Sequence, residues 1–220
     1  MMKTKALVFD AYGTLFDVNS AAEKCKNKIG SKWESFSNFW RTTQLEYTWL
    51  RSLMKKHKNF WEITEDSLDK SMKVFNIDKG MKNELLKLYK VLSPYPEVKK
   101  VLENLKDKKL KLAILSNGTP SLLNELVSSN NLKNLFDDLF SIEEVKVFKP
   151  DSRVYEIPVK KYNINANEIT FLSANTWDVS GGGNFGYNSI WVNRNNSHFD
   201  ILDYQPKNEI ANLSQLLEII

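Results

Sequence analysis

The apolar residues fall first into short, nearly unbroken runs, each ending in a polar residue. Ala6-Leu7-Val8-Phe9 runs into Asp10, and Leu112-Ala113-Ile114-Leu115 into Ser116. Ile169-Thr170-Phe171-Leu172 leads to Ser173, and Ile190-Trp191-Val192 to Asn193. Runs without alternation predict strands covered on both faces, as in a parallel sheet. Leu139-Phe140-Ser141-Ile142 is a candidate fifth strand. Between the runs the period changes. Val98, Val101, Leu102 and Leu105 recur at i, i+3, i+4 and i+7, and Thr119-Pro120 is a cap and first-turn pair ahead of Leu122, Leu123, Leu126 and Val127. Strands alternating with helices predict an α/β fold, a doubly wound (Rossmann-like) parallel sheet.

The alternation breaks between residues 16 and 96. Phe36, Phe39, Trp40, Thr43, Tyr47, Leu50 and Met54 make one face of a long helix. A second is expected to start at Thr64, with Leu68, Met72 and Phe75 inside, and a third carries Leu85, Leu86, Tyr89 and Leu92. This block reads as an inserted all-helical cap domain, residues 16–96, over a core of residues 1–15 and 97–220. Pro94 and Pro96 stiffen the return.

Ligands of doubly wound sheets bind beyond the carboxyl ends of the strands. Asp10, Ser116 and Ser173 all emerge there. Taken alone, a strand-end Asp such as Asp10 is either a nucleophile or a cap of the following turn.

Composition narrows the class. The chain has 220 residues, 42% hydrophobic and 26% charged, ordinary for a globular protein. No apolar run approaches the roughly 20 residues of a membrane span, and no signal peptide opens the chain. The lone Cys25 cannot form an internal disulfide and is expected to be inert; a reducing, cytoplasmic setting follows. The net charge of +4 is spread over lysines such as Lys106, Lys108, Lys109 and Lys111, which read as a solvated helix end. No basic stripe with interleaved aromatics points to nucleic acid.

Four motifs in order then make the chemistry specific: Phe9-Asp10-Ala11-Tyr12-Gly13-Thr14-Leu15, Leu115-Ser116-Asn117-Gly118, Phe148-Lys149-Pro150-Asp151, and Phe171-Leu172-Ser173-Ala174-Asn175-Thr176-Trp177-Asp178. This set resembles that of the haloacid dehalogenase superfamily over nearly the whole chain. Phe39-Trp40-Arg41 with Gln44-Leu45-Glu46-Tyr47-Thr48-Trp49-Leu50-Arg51 is similar to the signature of the L-2-haloacid dehalogenases. Phosphatases of the superfamily carry a second Asp two residues past the nucleophile, to protonate an alkoxide. Here Tyr12 stands there, and halide leaves without a proton. The fourth motif keeps Asp178 but has Ser173 and Asn175, a poor donor set for magnesium. No metal and no other cofactor is expected.

The resemblance implies a mechanism and its residues. Asp10 attacks the halogen-bearing carbon of a 2-haloacid from behind, inverting it and forming an ester. Thr14 orients Asp10; Arg41 and Asn117 stabilise the departing halide ion. Ser116 and nearby backbone N–H groups take the substrate carboxylate. Lys149 offsets the negative charge of Asp10, Asp178 and substrate. Water then cleaves the ester, organised by Asp178 with Ser173 and Asn175; whether Asp178 or Lys149 handles the proton stays open. Tyr155 either anchors Lys149 or Asp178 by its hydroxyl or is a core tyrosine. Tyr12, Leu45, Phe60 and Trp177 match the family's apolar pocket, though each alone also fits plain core. Preference for the (S) enantiomer follows from the resemblance only; the resemblance also implies a homodimer, and exposed aromatics on the long cap helix would fit its interface.

Three features fit less simply. Pro158 should delay or kink the helix after Tyr155. Gly181-Gly182-Gly183 reads as a flexible loop, and its use as a phosphate cradle has little support. His57 and His198 are given no catalytic role. A magnesium-dependent phosphatase of the same superfamily and a non-catalytic binding protein are the competing readings. The latter should lack a reacting group, yet Asp10, Arg41, Lys149 and Asp178 are all present.

Overall fold

A computed structural model describes residues 4–220. Its centre is a six-stranded, wholly parallel sheet in the order β3-β2-β1-β4-β5-β6. The strands are β1 (Ala6–Phe9), β2 (Lys111–Ser116), β3 (Asp138–Ser141), β4 (Ile169–Ser173), β5 (Asn188–Val192) and β6 (Asn208–Ile210). The four apolar runs and the candidate fifth strand are all found. β6 is the one the sequence conceals, since Asn208 and Glu209 are exposed. All four residues of β1 are fully buried, flanked by β2 and β4. Truncating such a side chain, as in Phe9→Ala, costs about 3–5 kcal/mol. The strand order reverses between β1 and β4, which is where a doubly wound sheet opens a crevice at its carboxyl edge.

The first five helices after β1 are α1 (Ser20–Lys24), α2 (Lys26–Ile29), α3 (Trp33–Met54), α4 (Phe60–Phe75) and α5 (Lys82–Lys90). They form the helical cap, with α3 packed along α4. The chain enters and leaves it through paired segments. Asp17 N–H donates to Ser93 C=O at 2.9 Å and Tyr95 N–H to Leu15 C=O at 3.0 Å. The other helices cover the sheet: α6 (Val98–Lys106), α7 (Pro120–Ser129), α8 (Ser152–Tyr162), α9 (Thr176–Phe185) and the short α10 (Leu216–Ile219). The Thr119-Pro120 start of α7 forms as expected, the Thr119 hydroxyl accepting from Leu122 N–H at 3.3 Å.

Several expectations are corrected. α4 begins at Phe60 and not at Thr64, because Asn59 and Glu62 form a reciprocal capping box ahead of it. The long face of α3 is buried from Phe36 to Thr48, whereas Leu50 and Met54 are exposed. Leu92 is buried but lies beyond α5. Pro158 neither delays nor interrupts α8, which runs from Ser152 to Tyr162 around it. Gly181-Gly182-Gly183 is no loop: it lies inside α9, where the missing side chains allow close packing. A Cβ on Gly181 would stand 2.5 Å from the Tyr155 hydroxyl, and one on Gly182 2.8 Å from the Phe171 ring. Among the described residues no helix is long and apolar enough to cross a membrane.

Candidate active site

Three chain segments converge at the reversal point. Asp10 directly follows β1, its N–H donating to Leu172 C=O of β4 at 2.9 Å. Ser116 and Ser173 close β2 and β4, and the loop before α8 brings Lys149 underneath. Lys149 Nζ lies 3.1 Å from Asp10 Oδ1 and 2.9 Å from Asp178 Oδ2, and its side chain is fully buried. Thr14 Oγ1 donates to Asp10 Oδ2 at 3.0 Å, and Asn175 Nδ2 donates to the same oxygen at 2.9 Å. Both Asp10 oxygens are thus held, which fixes the carboxylate plane. The Tyr155 hydroxyl donates to Asp178 Oδ1 at 2.7 Å, favouring the anchoring role over a plain core role.

Burial acts on these groups in opposite directions. Desolvation is the largest influence on Lys149 and disfavours its charge, but Asp10 and Asp178 together outweigh it and hold the ammonium above the usual lysine value. Asp178 is pushed up by burial, against the pull of Lys149 and the Tyr155 hydroxyl. Tyr12 is pushed well above the ordinary phenol value by burial and by Tyr89 beside it. Its hydroxyl therefore stays neutral and is a poor proton donor to a leaving group.

The remaining expected residues stand around the two carboxylates without a side-chain hydrogen bond to either. Ser173 touches neither carboxylate; its hydroxyl accepts from Asn175 N–H at 3.1 Å and so shapes the turn that presents Asn175. The Ser116 hydroxyl accepts from Gly118 N–H at 3.1 Å. Asn117 Oδ1 accepts from Lys149 N–H at 3.1 Å, which leaves its NH2 free to donate elsewhere. Arg41 reaches down from α3, one guanidinium nitrogen donating to Tyr12 C=O at 3.2 Å. Tyr12 packs on Phe60 with ring centroids 5.2 Å apart, so these two expected pocket residues do meet. Leu45 follows Arg41 by one turn of α3 and is half-buried; Trp177 packs edge-on against Trp49 at 5.4 Å.

Sequence reasoning missed three participants. Gln44 accepts from Arg41 at 2.9 Å; it lay inside the quoted cap signature, but a Gln on a helix gives no signal of burial. Gly181 makes room for the Tyr155 hydroxyl. Arg194 donates twice to Thr14 C=O, at 3.2 and 2.7 Å, and pairs with Glu97 at 2.8 Å. His57, given no role, lies outside the cluster, with Nε2 3.2 Å from Glu143.

A fixed carboxylate at a strand end, a buried ammonium and a second carboxylate can form and then hydrolyse an ester. The donor set does not fit a magnesium ion. The position between the two carboxylates is filled by the Lys149 ammonium, and the fourth motif adds only a hydroxyl and an amide.

Comparison with known proteins agrees with this chemistry. Residues 4–186 match the family model for haloacid dehalogenase-like hydrolases. The chain is 40% identical over 218 residues to an (S)-2-haloacid dehalogenase of Pseudomonas fluorescens, covering 98% of this chain and 96% of that one. A crystallised dehalogenase superposes with a TM-score of 0.98 at 35% identity, covering 100% of this chain and 98% of the other. The L-2-haloacid dehalogenase of Xanthobacter autotrophicus, solved with chloropropionic acid covalently bound, gives 0.91 at 30% identity over 98% of both chains. The chain belongs to the haloacid dehalogenase-like hydrolases and, within them, to the L-2-haloacid dehalogenases.

Proposed function

We propose that the protein hydrolyses short-chain (S)-2-haloacids to (R)-2-hydroxyacids, with inversion, through an ester on Asp10 and without a metal. The observation that carries this reading is the Asp10 carboxylate at the sheet reversal, with Lys149 Nζ 3.1 Å from it and bridging to Asp178. The relative from Xanthobacter that binds chloropropionic acid covalently supports the same route. Tyr12, neutral and standing where a phosphatase keeps its acid, disfavours phosphate ester hydrolysis.

Asp10 is the nucleophile and Thr14 and Asn175 hold it in the attacking plane. Arg41 and the Asn117 amide NH2 stabilise the departing halide as its charge develops. Ser116 and the backbone N–H groups after it take the substrate carboxylate. Tyr12, Leu45, Phe60 and Trp177 line an apolar pocket that keeps water from the displacement. In the second step Asp178, held by Lys149 and Tyr155, directs water onto the ester carbonyl, with Ser173 supporting the Asn175 turn.

Residues 16–96 act as the cap and residues 1–15 and 97–220 as the core, the paired segments at Asp17/Ser93 and Leu15/Tyr95 marking the joints. A homodimer is the proposed assembly, and a cytoplasmic location follows from the single buried Cys25. The apolar residues exposed on α3 are Leu50, Leu53 and Met54, and not aromatics; Leu53 is 79% exposed. Sedimentation of wild type and Leu53→Glu tests that face.

The reaction is tested by halide release from each enantiomer of 2-chloropropionate in excess EDTA. Release from the S form alone, unaffected by EDTA, is expected. No release from either form would overturn the proposal.

A further inference from the structure

Arg41 is held from behind by a buried amide whose orientation is forced. Gln44 follows Arg41 on α3 and is 1% exposed. Its Oε1 accepts from Arg41 NH1 at 2.9 Å, and its Nε2 donates to Thr64 Oγ1 on α4 at 2.7 Å. The Tyr89 hydroxyl of α5 lies 3.0 Å from Nε2 and 3.2 Å from Oε1. A hydroxyl has one proton to give. That of Thr64 goes to Phe60 C=O, one turn back, at 2.7 Å. Thr64 is therefore left only as an acceptor, so the NH2 of Gln44 must face α4 and its oxygen must face Arg41. The Trp40 indole N–H, donating to Thr64 C=O at 3.1 Å, ties α3 to α4 at the same level.

The other side of Arg41 leads to the nucleophile. Tyr12 C=O accepts from Arg41 and, at 3.3 Å, from Asn175 Nδ2, which also donates to Asp10. The Tyr89 ring stacks on that of Tyr12 at 5.7 Å and 15°. A path of hydrogen bonds, buried at Thr64 and Gln44 and part-buried from Arg41 onward, thus runs from Thr64 through Gln44, Arg41, Tyr12 and Asn175 to Asp10.

We propose that Gln44 is a positioning residue for the carbon–halogen cleavage step. Its oxygen, oriented by Thr64 and Tyr89, aims the Arg41 guanidinium at the departing halide. This rests on the reading of Arg41 as the halide-stabilising group. Gln44 and Thr64 touch no reacting atom; they act through Arg41. The consequence differs from loss of packing. Chloride leaves less readily than bromide, so its departure depends more on a well-aimed cation. A misaimed Arg41 must slow chloride release more than bromide release, whereas general damage slows both alike.

Single-turnover halide release from (S)-2-chloropropionate and (S)-2-bromopropionate tests this in wild type, Gln44→Met, Thr64→Val and Thr64→Ser. Gln44→Met is expected to slow chloride release by about 10- to 100-fold, bromide release by clearly less, and ester hydrolysis not at all. Thr64→Val should move the bromide-to-chloride ratio in the same direction, and Thr64→Ser, which keeps the hydroxyl, should restore it. If Gln44→Met does not fold, the Thr64 pair carries the comparison. Equal slowing on both halides, or an unchanged ratio in Thr64→Val, would overturn the proposal while leaving the dehalogenase reading intact. Wild type inactive on both acids would overturn that reading, and this inference with it.

Discussion

Lys149 Nζ stands 2.9 Å from Asp178 Oδ2, and neither side chain is exposed. With Asp10 at 3.1 Å on its other side, the ammonium is the only counter-charge in hydrogen-bond contact with two carboxylates among the described residues. Its value is held above that of an ordinary lysine, so the charge persists through neutral pH. Its stabilising effect is complete below the unfolded lysine value and fades only as pH rises through the higher folded one.

Lys149→Met therefore leaves two buried carboxylates facing each other, a loss of about 3–5 kcal/mol. Without the ammonium, Asp178 resists ionisation further, so the variant should lose more stability at pH 8 than at pH 5. Urea unfolding at both values measures this. A pH-independent loss would show that the ion triad is not what holds the site. Lys149→Arg should not restore halide release, since the planar guanidinium does not fit a site built around a point charge.

Tyr155→Phe removes a hydrogen bond that favours the ionised form of Asp178, whose carboxyl is already raised by burial. In the proposed second step that carboxylate directs water onto the ester. The acid limb of the pH–rate profile should consequently move to higher pH, with the fold kept. A reduced rate with an unmoved limb would assign Tyr155 to packing instead.

Gly181→Ala places a Cβ 2.5 Å from the same hydroxyl and 2.7 Å from Pro150 Cβ. Overpacking costs about 1–3 kcal/mol, and the displaced hydroxyl should shift the acid limb in the same direction as Tyr155→Phe. Gly183→Ala would meet the Tyr204 ring instead, and should lower the melting temperature without moving the limb. Thermal melts together with pH profiles of the two variants separate the effects.

Arg194 fastens the cap joint to the nucleophile loop. It donates to Thr14 C=O, pairs with Glu97 and lies over the Tyr95 ring at 3.7 Å, while the Thr14 hydroxyl holds Asp10. Arg194→Met should cost about 2 kcal/mol from the charged hydrogen bonds and lower kcat several-fold with little change in KM. An unaltered kcat would confine Arg194 to stability.

The first five strands were legible as apolar runs ending in a polar residue, and the four motifs through their resemblance, the third of them lying in the loop before α8. Asp10, Thr14, Lys149, Tyr155, Asn175 and Asp178 are brought together by the loops and helices packed around the ends of β1 and β4. What stayed hidden depends on neighbours distant in sequence. Gly181-Gly182-Gly183 has the composition of a loop, yet is helical because Tyr155 and Phe171 press against it. Asn59 starts α4 through a capping box with Glu62, one turn ahead of Thr64. Gln44 and Arg194 carry the polarity of surface residues, and their burial is set by α4, α5 and the cap joint. β6 has no apolar run to announce it.

In the ester route Asp10 itself supplies the oxygen of the product hydroxyl. A single turnover of (S)-2-chloropropionate by excess enzyme in H2-18O, followed by mass spectrometry of product and protein, tests it directly. An unlabelled hydroxyl in the 2-hydroxypropionate and one 18O in the peptide bearing Asp10 are expected. Labelled product with unlabelled Asp10 would mean that water attacks the substrate carbon, and would contradict the ester route.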